Sequence, residues 1–223
     1  MSAETIVGLG VSFPFMNFLK NGNYTEDCTS HSGSVEYEIP NDYFDGIKTS
    51  GVQFSIKVRH IFDSRFVLGL DFDIGKSKLK INGNSDGTAR YLDMNVDLAI
   101  GYAIVDGERL TMILSAIAGV HHGKADLGSI YGGVTPSYFS GLDGHYNLYG
   151  EVIERYTAFE IGGELFANFK IGDIAGLFAS CKVMYNIGNM RDKYDVVGDE
   201  VTVAFHKTTA FVVKPSVGVS FTF

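Results

Sequence analysis

The stretch Ala210-Phe211-Val212-Val213-Lys214-Pro215-Ser216-Val217-Gly218-Val219-Ser220-Phe221-Thr222-Phe223 alternates without a break. Phe211, Val213, Pro215, Val217, Val219, Phe221 and Phe223 share one parity, and Ala210, Val212, Lys214, Ser216, Gly218, Ser220 and Thr222 share the other. A period of two marks a β-strand with one apolar face and one small or polar face. Terminal residues of soluble domains usually fray into water. A strand that carries its pattern through to a last aromatic residue therefore poses a question for the rest of the chain.

Seven earlier segments repeat the pattern. The first sets Val7, Leu9, Val11, Phe13 and Phe15 against Gly8, Gly10 and Ser12. The second sets Val52, Phe54, Ile56 and Val58 against Gln53, Ser55, Lys57 and Arg59. The third opposes Phe66, Leu68, Leu70, Phe72 and Ile74 to Gly69, Asp71, Asp73 and Gly75. The fourth runs from Leu92 to Ile104 against Asp93, Asn95, Asp97, Ala99, Gly101 and Ala103. The fifth is irregular, because Leu110, Met112, Leu114 and Val120 lie on one parity and Ile113 and Ile117 on the other. The sixth opposes Phe159, Ile161, Leu165 and Phe169 to Glu160, Gly162, Glu164, Asn168 and Lys170, and the seventh opposes Leu177, Cys181, Val183, Tyr185 and Ile187 to Ser180, Lys182, Asn186 and Gly188. Runs of about ten residues exceed the ~5–6 of a soluble strand and suit a tilted strand that crosses a bilayer core.

The connections alternate in length. Tight turns are expected around Asp63-Ser64, at Val105-Asp106-Gly107-Glu108 and at Gly172-Asp173, the second with an Asp-Gly hairpin signal. Longer connections run from Met16 to about Asp45, from Leu79 to Thr88, from about His122 to Glu151 and from about Asn189 to Lys207. An up-and-down barrel with this alternation carries all its tight turns and both termini at one end, with short periplasmic turns and long extracellular loops.

Alternation does not say which face points outward, since a soluble lipocalin-like barrel has the same period with an apolar interior. Volume decides. An eight-stranded barrel is just wide enough for its own side chains, and the bulky apolar parity cannot fit inside, whereas the interleaved Gly, Ser, Asp and Lys can. The apolar parity must face out, and a continuous band of that size is comfortable only in lipid. Closure then follows, because an open sheet edge in hydrocarbon leaves backbone groups unsatisfied. The expectation is an all-β fold, an eight-stranded antiparallel up-and-down transmembrane β-barrel, with residues 1–223 as one domain.

The inward parity carries Lys57, Arg59, Lys170, Lys182 and Lys214 against Asp71, Asp73, Asp93, Asp97, Glu160 and Glu164. This near balance allows a paired polar network that fills the lumen. The competing reading is a narrow conductive path lined by the same residues, for which eight strands leave little room.

Composition excludes several classes. No apolar run approaches the ~18 residues of a membrane helix. A net charge of −8 without a basic cluster speaks against a nucleic-acid partner. Cys28 and Cys181 form neither a disulfide framework nor a metal spacing and read as two unpaired thiols; a bridge between them needs a loop folded back onto the wall. Met1-Ser2-Ala3-Glu4 enters the first strand without an apolar signal core. That start fits a cytoplasmic chain or one whose signal peptide has been removed, and Ala3-Glu4, similar to the residues at a signal-peptidase cut, favours the second.

Strand count, loop alternation and the closing Val217-Gly218-Val219-Ser220-Phe221-Thr222-Phe223 resemble the small eight-stranded bacterial outer-membrane proteins of the OmpA transmembrane-domain, OmpX and OmpW type. The resemblance covers the whole chain and is architectural. It implies residence in the bacterial outer membrane among its lipids, a monomer, and a terminal strand whose Phe221 and Phe223 are read by the barrel-assembly machinery. The charged lumen is closer to the OmpA and OmpX type than to the more apolar OmpW lumen.

Signals for catalysis are weak. His121-His122 and His145 read as solvated loop-edge histidines, and no Ser, Asp and His spacing singles out a nucleophile with its base. Neither an enzyme, a metal nor a cofactor is expected. The first long connection is acidic, with Glu26, Asp27, Glu36 and Glu38, and the third is rich in Tyr and Gly, with Tyr131, Tyr138 and Tyr146. These are the candidates for contact with an extracellular protein or small-molecule ligand. Lys76, Lys78 and Lys80 continue the outward parity beyond the apolar band, where they can snorkel to lipid phosphates. The expected role is adhesion, or host or ligand interaction, through surface loops over a plugged lumen. The alternative is a small-solute, porin-like channel of the OmpW kind.

Overall fold

The alternating segments form strands in a computed structural model that describes residues 3–19, 26–30, 33–37, 48–80, 88–126, 153–196 and 199–223. In chain order these are β1 (Glu4–Ser12), β2 (Phe15–Leu19), β3 (Glu26–Ser30), β4 (Gly33–Tyr37), β5 (Lys48–Ile61), β6 (Phe66–Lys80), β7 (Thr88–Asp106), β8 (Leu110–Asp126), β9 (Ile153–Lys170), β10 (Ala175–Val196) and β11 (Asp199–Thr222). No helix long and apolar enough to cross a membrane occurs among the described residues.

β1 and β2 are one stave of the wall. Both pair with β11 on one side and β5 on the other, and the register continues unchanged across the break. The break is Phe13-Pro14, where proline has no N–H to give the ladder; Phe13 still donates to the Pro215 carbonyl at 2.9 Å. Counted this way, eight staves in the order β1/β2, β11, β10, β9, β8, β7, β6, β5 form a ring closed by the β1–β5 pairing, all antiparallel. At the seam Thr5 and Phe223 exchange backbone hydrogen bonds of 2.9 Å in both directions.

Three tight turns share one end with the termini, here the turn end. At the first, Arg65 N–H donates to the Phe62 carbonyl at 2.8 Å and Arg65 adopts a left-handed φ of 64°. Gly107 N–H donates to Leu110 O at 3.0 Å, and Ile171 and Gly172 both donate to Ala175 O. At the opposite, loop end two connections depart from expectation. β10 and β11 stay paired out to Val196↔Asp199, with a register shift between Arg191 and Lys193, so most of the stretch read as a connection from Asn189 to Lys207 is a protruding hairpin. The segment between Met16 and Asp45 contains β2 and the β3–β4 hairpin, paired from Glu26↔Tyr37 to Ser30↔Gly33.

The outward face is apolar along every stave. Leu98 is 61% exposed and Leu114 56%, with Phe15, Ile100, Phe159, Ile161 and Val217 similarly placed. Such exposure of large hydrophobics right round a closed wall is compatible with lipid and not with water. Ile113 and Ile117, the irregular residues of β8, point inward. Ile113 joins Ile6, Ile61, Val67, Ala103, Phe166 and Phe178 in an apolar floor at the turn end. Phe178 stacks on Phe166 with 5.6 Å between ring centroids. Space for the Phe178 ring comes from glycines on the two successive staves beside β10: a Cβ on Gly218 of β11 would lie 2.6 Å from Phe178 Cε1, and one on Gly8 of β1 would lie 2.9 Å from it.

Candidate functional site: the charged lumen

Above the floor the inward parity is polar, and the side chains are long enough to meet across the ring. Lys57 Nζ, from β5, donates to Glu164 Oε1 of β9 at 2.8 Å and to Asp71 Oδ2 of β6 at 3.2 Å. Arg59 reaches the same two carboxylates, with Nη1 2.5 Å from Asp71 Oδ1 and Nη2 bonded to Glu164 Oε2. Its guanidinium also lies over Phe166 of the floor, 5.3 Å from the ring centroid. Gly69, opposite Arg59 in register, leaves the room: a Cβ there would stand 2.7 Å from Nη1.

Lys182 of β10 is the next bridge, 2.6 Å from Asp71 Oδ2 on β6 and 2.7 Å from Asp97 Oδ2 on β7. Lys214 of β11 reaches Asp73 Oδ2 at 3.2 Å. In the ring β5 lies opposite β9, and β6 opposite β10. The Lys57–Glu164, Arg59–Glu164 and Lys182–Asp71 pairs therefore cross the lumen from wall to wall. All eight of these charged side chains are buried. Four cations (Lys57, Arg59, Lys182, Lys214) meet four carboxylates (Asp71, Asp73, Asp97, Glu164), so the cluster is neutral. Removing one partner of such a set leaves a buried charge uncompensated, whereas the intact set offsets its own desolvation.

A second cluster lies toward the loop end. His121 Nε2 is 3.1 Å from Asp93 Oδ1, and Nδ1 is 3.2 Å from Glu160 Oε1. Asn95 Nδ2 donates to Glu160 Oε2 at 2.8 Å, and Asn186 Nδ2 donates to Glu160 Oε1 at 2.7 Å. The two clusters are joined by neutral groups. The Ser12 hydroxyl sits 3.1 Å from Asp73 Oδ1 and 3.3 Å from Gln53 Oε1, and Gln53 Nε2 donates to Asn95 Oδ1 at 3.3 Å. Lys182 Nζ lies 3.6 Å from Asp73 Oδ2, so ion pairs and hydrogen bonds together form one connected path from Arg59 at the floor to Asp93 near the loop end. Beyond it the lining turns small and apolar on one side, with Met16, Ala158, Ala210 and Val212 buried there.

Ten of the eleven lumen charges read from parity lie in these two clusters. Lys170 stands apart: it pairs with Glu4 at 2.8 Å at the turn-end rim, its side chain 19% exposed, because β9 there has already passed the floor. His121 corrects the expectation of a solvated loop-edge histidine, being buried among carboxylates, whereas its neighbour His122 is exposed and bonded to Thr157 Oγ1 at 2.9 Å. The signal for His121 was available, since it shares inward parity with Ser115 and Ile117. Asn95, Asn186, Gln53 and Ser12 carried no charge to mark them. Cys181 is a free thiol on the outward face. Phe221 and Phe223 face outward at the seam, Phe223 72% exposed. Among the loop candidates, Glu26, Asp27 and Glu36 fall on the β3–β4 hairpin. Glu38, Tyr131, Tyr138 and Tyr146 lie outside the described residues, as does His145. No three His, Cys, Asp or Glu side chains are placed to hold a metal ion among the described residues.

No protein-family model and no curated protein matches the sequence. Solved structures do. The outer membrane protein OprG from Pseudomonas aeruginosa is 13% identical, with the alignment covering 100% of this chain and 96% of that one at a TM-score of 0.58. Ail, the attachment invasion locus protein of Yersinia pestis, is 12% identical over 100% of both chains at a TM-score of 0.44. With its lipid-facing belt, its closed ring of eight antiparallel staves and its turns gathered at one end, the chain has the fold of the small bacterial outer-membrane β-barrels.

Proposed function

We propose that this outer-membrane barrel is closed along its axis by its own ion-paired side chains and acts through what it presents at the cell surface, in adhesion or in host or ligand interaction. The observation that carries this reading is the set of ion pairs that run from one wall to the opposite one. A path for solute or ions would have to break several charge-assisted bonds at once, each worth more than a neutral hydrogen bond. The reading includes a monomer that performs no catalysis, contacts made by the acidic first connection (Glu26, Asp27, Glu36, Glu38) and the tyrosine-rich third one (Tyr131, Tyr138, Tyr146), and a terminal strand whose Phe221 and Phe223 serve recognition by the barrel-assembly machinery.

A second reading, a small-solute channel, draws support from the small apolar lining at the loop end around Met16, Ala158 and Val212, which suits entry of an uncharged solute. Swelling of liposomes that contain the purified barrel separates the two. A closed lumen gives no swelling above protein-free liposomes with sugars, amino acids or small apolar solutes, and solute-dependent swelling by the unmodified protein overturns it. Deleting residues 23–42 and 124–150 tests the surface role: binding to host cells or matrix that survives both deletions removes the loops from the function.

A further inference from the structure

The charges of the lumen do not balance at its loop end. Among the described residues the buried lysines and arginines are Lys57, Arg59, Lys182 and Lys214, and all four belong to the neutral lower cluster. The positive group that meets Asp93 and Glu160 is the His121 ring, placed between them. Two carboxylates against one imidazolium leave the upper cluster with at least one negative charge, and all three side chains are buried. A buried charge without compensation is costly to hold.

The same place is short of side-chain bulk. Glu160, Asn186 and Ala210 stand in register on β9, β10 and β11, and the next inward pair toward the loop end is Ala158↔Gly188. On β9 and β10 that next step above the Glu160 carboxylate thus carries nothing longer than a methyl group. Asn186 is fully buried, gives an N–H to Glu160 Oε1 at 2.7 Å, and leaves its Oδ1 with no hydrogen-bond partner. Buried side-chain oxygens seldom go unsatisfied in a native protein. Met184, Val212 and Met16, in register with one another, continue the adjoining wall as a buried apolar surface.

We infer that this end of the lumen is a blind pocket for a small amphiphilic cation, a primary ammonium group on a short apolar body. The ammonium supplies the missing positive charge. Its N–H groups donate to Asn186 Oδ1 and to the Glu160 carboxylate, which keeps a free lone pair beside its contacts with Asn95, His121 and Asn186. The apolar body lies against Ala158, Ala210 and Val212. A few placed polar groups in a mostly apolar concavity are the usual make-up of a small-molecule site. A metal ion does not fit, because no three His, Cys, Asp or Glu side chains among the described residues are placed to hold one. An uncharged solute leaves the negative charge standing. The inference deepens the ligand-interaction role proposed above and rests on it, since the wall-to-wall ion pairs below make the pocket blind.

The test is isothermal titration calorimetry of the full chain in neutral detergent, against protein-free micelles, with hexylamine, hexanol and hexanoate as probes. Hexylamine should bind once per barrel and about tenfold or more tighter than hexanol, because a charged donor makes the stronger bond; hexanoate should not bind. Glu160→Gln, which leaves the Asp93–His121 pair in place, and Ala158→Leu, which fills the space above Glu160, should each lower hexylamine affinity about tenfold or more. Cys181→Ser on the outer face should leave it unchanged. Heat-modifiable gel migration reports folding, and Asn186→Leu gives the same readout with a smaller loss should either variant fail to fold. Hexanol bound as tightly as hexylamine overturns the inference, as does hexylamine affinity that survives the substitutions in folded protein. Displacement of hexylamine by equimolar calcium chloride also overturns it, because the site then holds a metal. Liposome swelling by the same protein reads closure separately. Swelling with hexylamine bound once per barrel overturns the closed lumen while the ammonium site stands; no hexylamine binding in a barrel that does not swell overturns the site alone.

Discussion

The two faces of a single strand are built to different standards. On β5 the outward residues Val52, Phe54, Ile56 and Val58 meet a fluid solvent that accepts any apolar shape, whereas the inward Gln53, Ser55, Lys57 and Arg59 each have stated partners or a buried place. Lipid asks only for hydrophobicity, so the outer face tolerates exchange within that class. The lumen is a closed polar interior in which each charge relies on a particular neighbour across the ring, and it does not.

The largest contrast should appear on removing one lumen charge. Glu164→Gln leaves Lys57 and Arg59 to share Asp71 and is expected to cost about 3–5 kcal/mol, the usual penalty for an orphaned buried charge. Leu98→Ile on the outer face should cost under ~1.5 kcal/mol. Urea titration of heat-modifiable migration reads both, and equal midpoints for the two variants would erase the distinction. The outer face has its own limit: Leu98→Lys, at the centre of the belt, should cost about 2–4 kcal/mol by the same titration. A cost near zero there would mean that Leu98 does not face hydrocarbon.

A smaller effect tests the packing of the floor. Gly8→Ala places a methyl group against the Phe178 ring and should cost about 1–3 kcal/mol by overpacking. Phe178→Leu in the same chain should recover part of it; additive losses would show that the glycine serves another purpose. The smallest effect is at the first turn, where Arg65 sits in the left-handed region at φ 64°. Arg65→Gly removes that strain and should stabilise the barrel by about 1 kcal/mol, seen as a higher urea midpoint.

Much of this was legible from period and volume. Parity alone separated Val52, Phe54, Ile56 and Val58 from Lys57 and Arg59, and the narrowness of an eight-stranded ring then fixed which set faced lipid. Height along the axis was not legible. Lys170 and Glu164 share a parity on β9, yet Glu164 lies in the central cluster and Lys170 at the rim with Glu4, because parity says in or out and nothing about depth. Partner choice was equally hidden. Following the pairings from Lys57 through Asp71, Asp97 and Gly119 leads to Glu160 on β9, whereas the Lys57 ammonium meets Glu164. The register climbs round a tilted barrel, so residues in line along the hydrogen bonds are not level along the axis. Ile113 and Ile117 looked like breaks in the pattern because a lumen was expected to be polar throughout; the turn end instead closes with an apolar floor.

Single-channel recording in planar bilayers tests the wall-to-wall ion pairs most directly. For the unmodified barrel a closed lumen predicts a silent baseline at moderate voltage. The paired truncation Arg59→Ala/Glu164→Ala, which removes the Lys57–Glu164 and Arg59–Glu164 crossings and keeps the cluster neutral, should produce at most brief openings while Lys182 still bridges Asp71 and Asp97. Sustained unitary currents from the wild type that vanish on substitution at Asp97 or Lys182 would contradict it, and would make the same residues the lining of a pore.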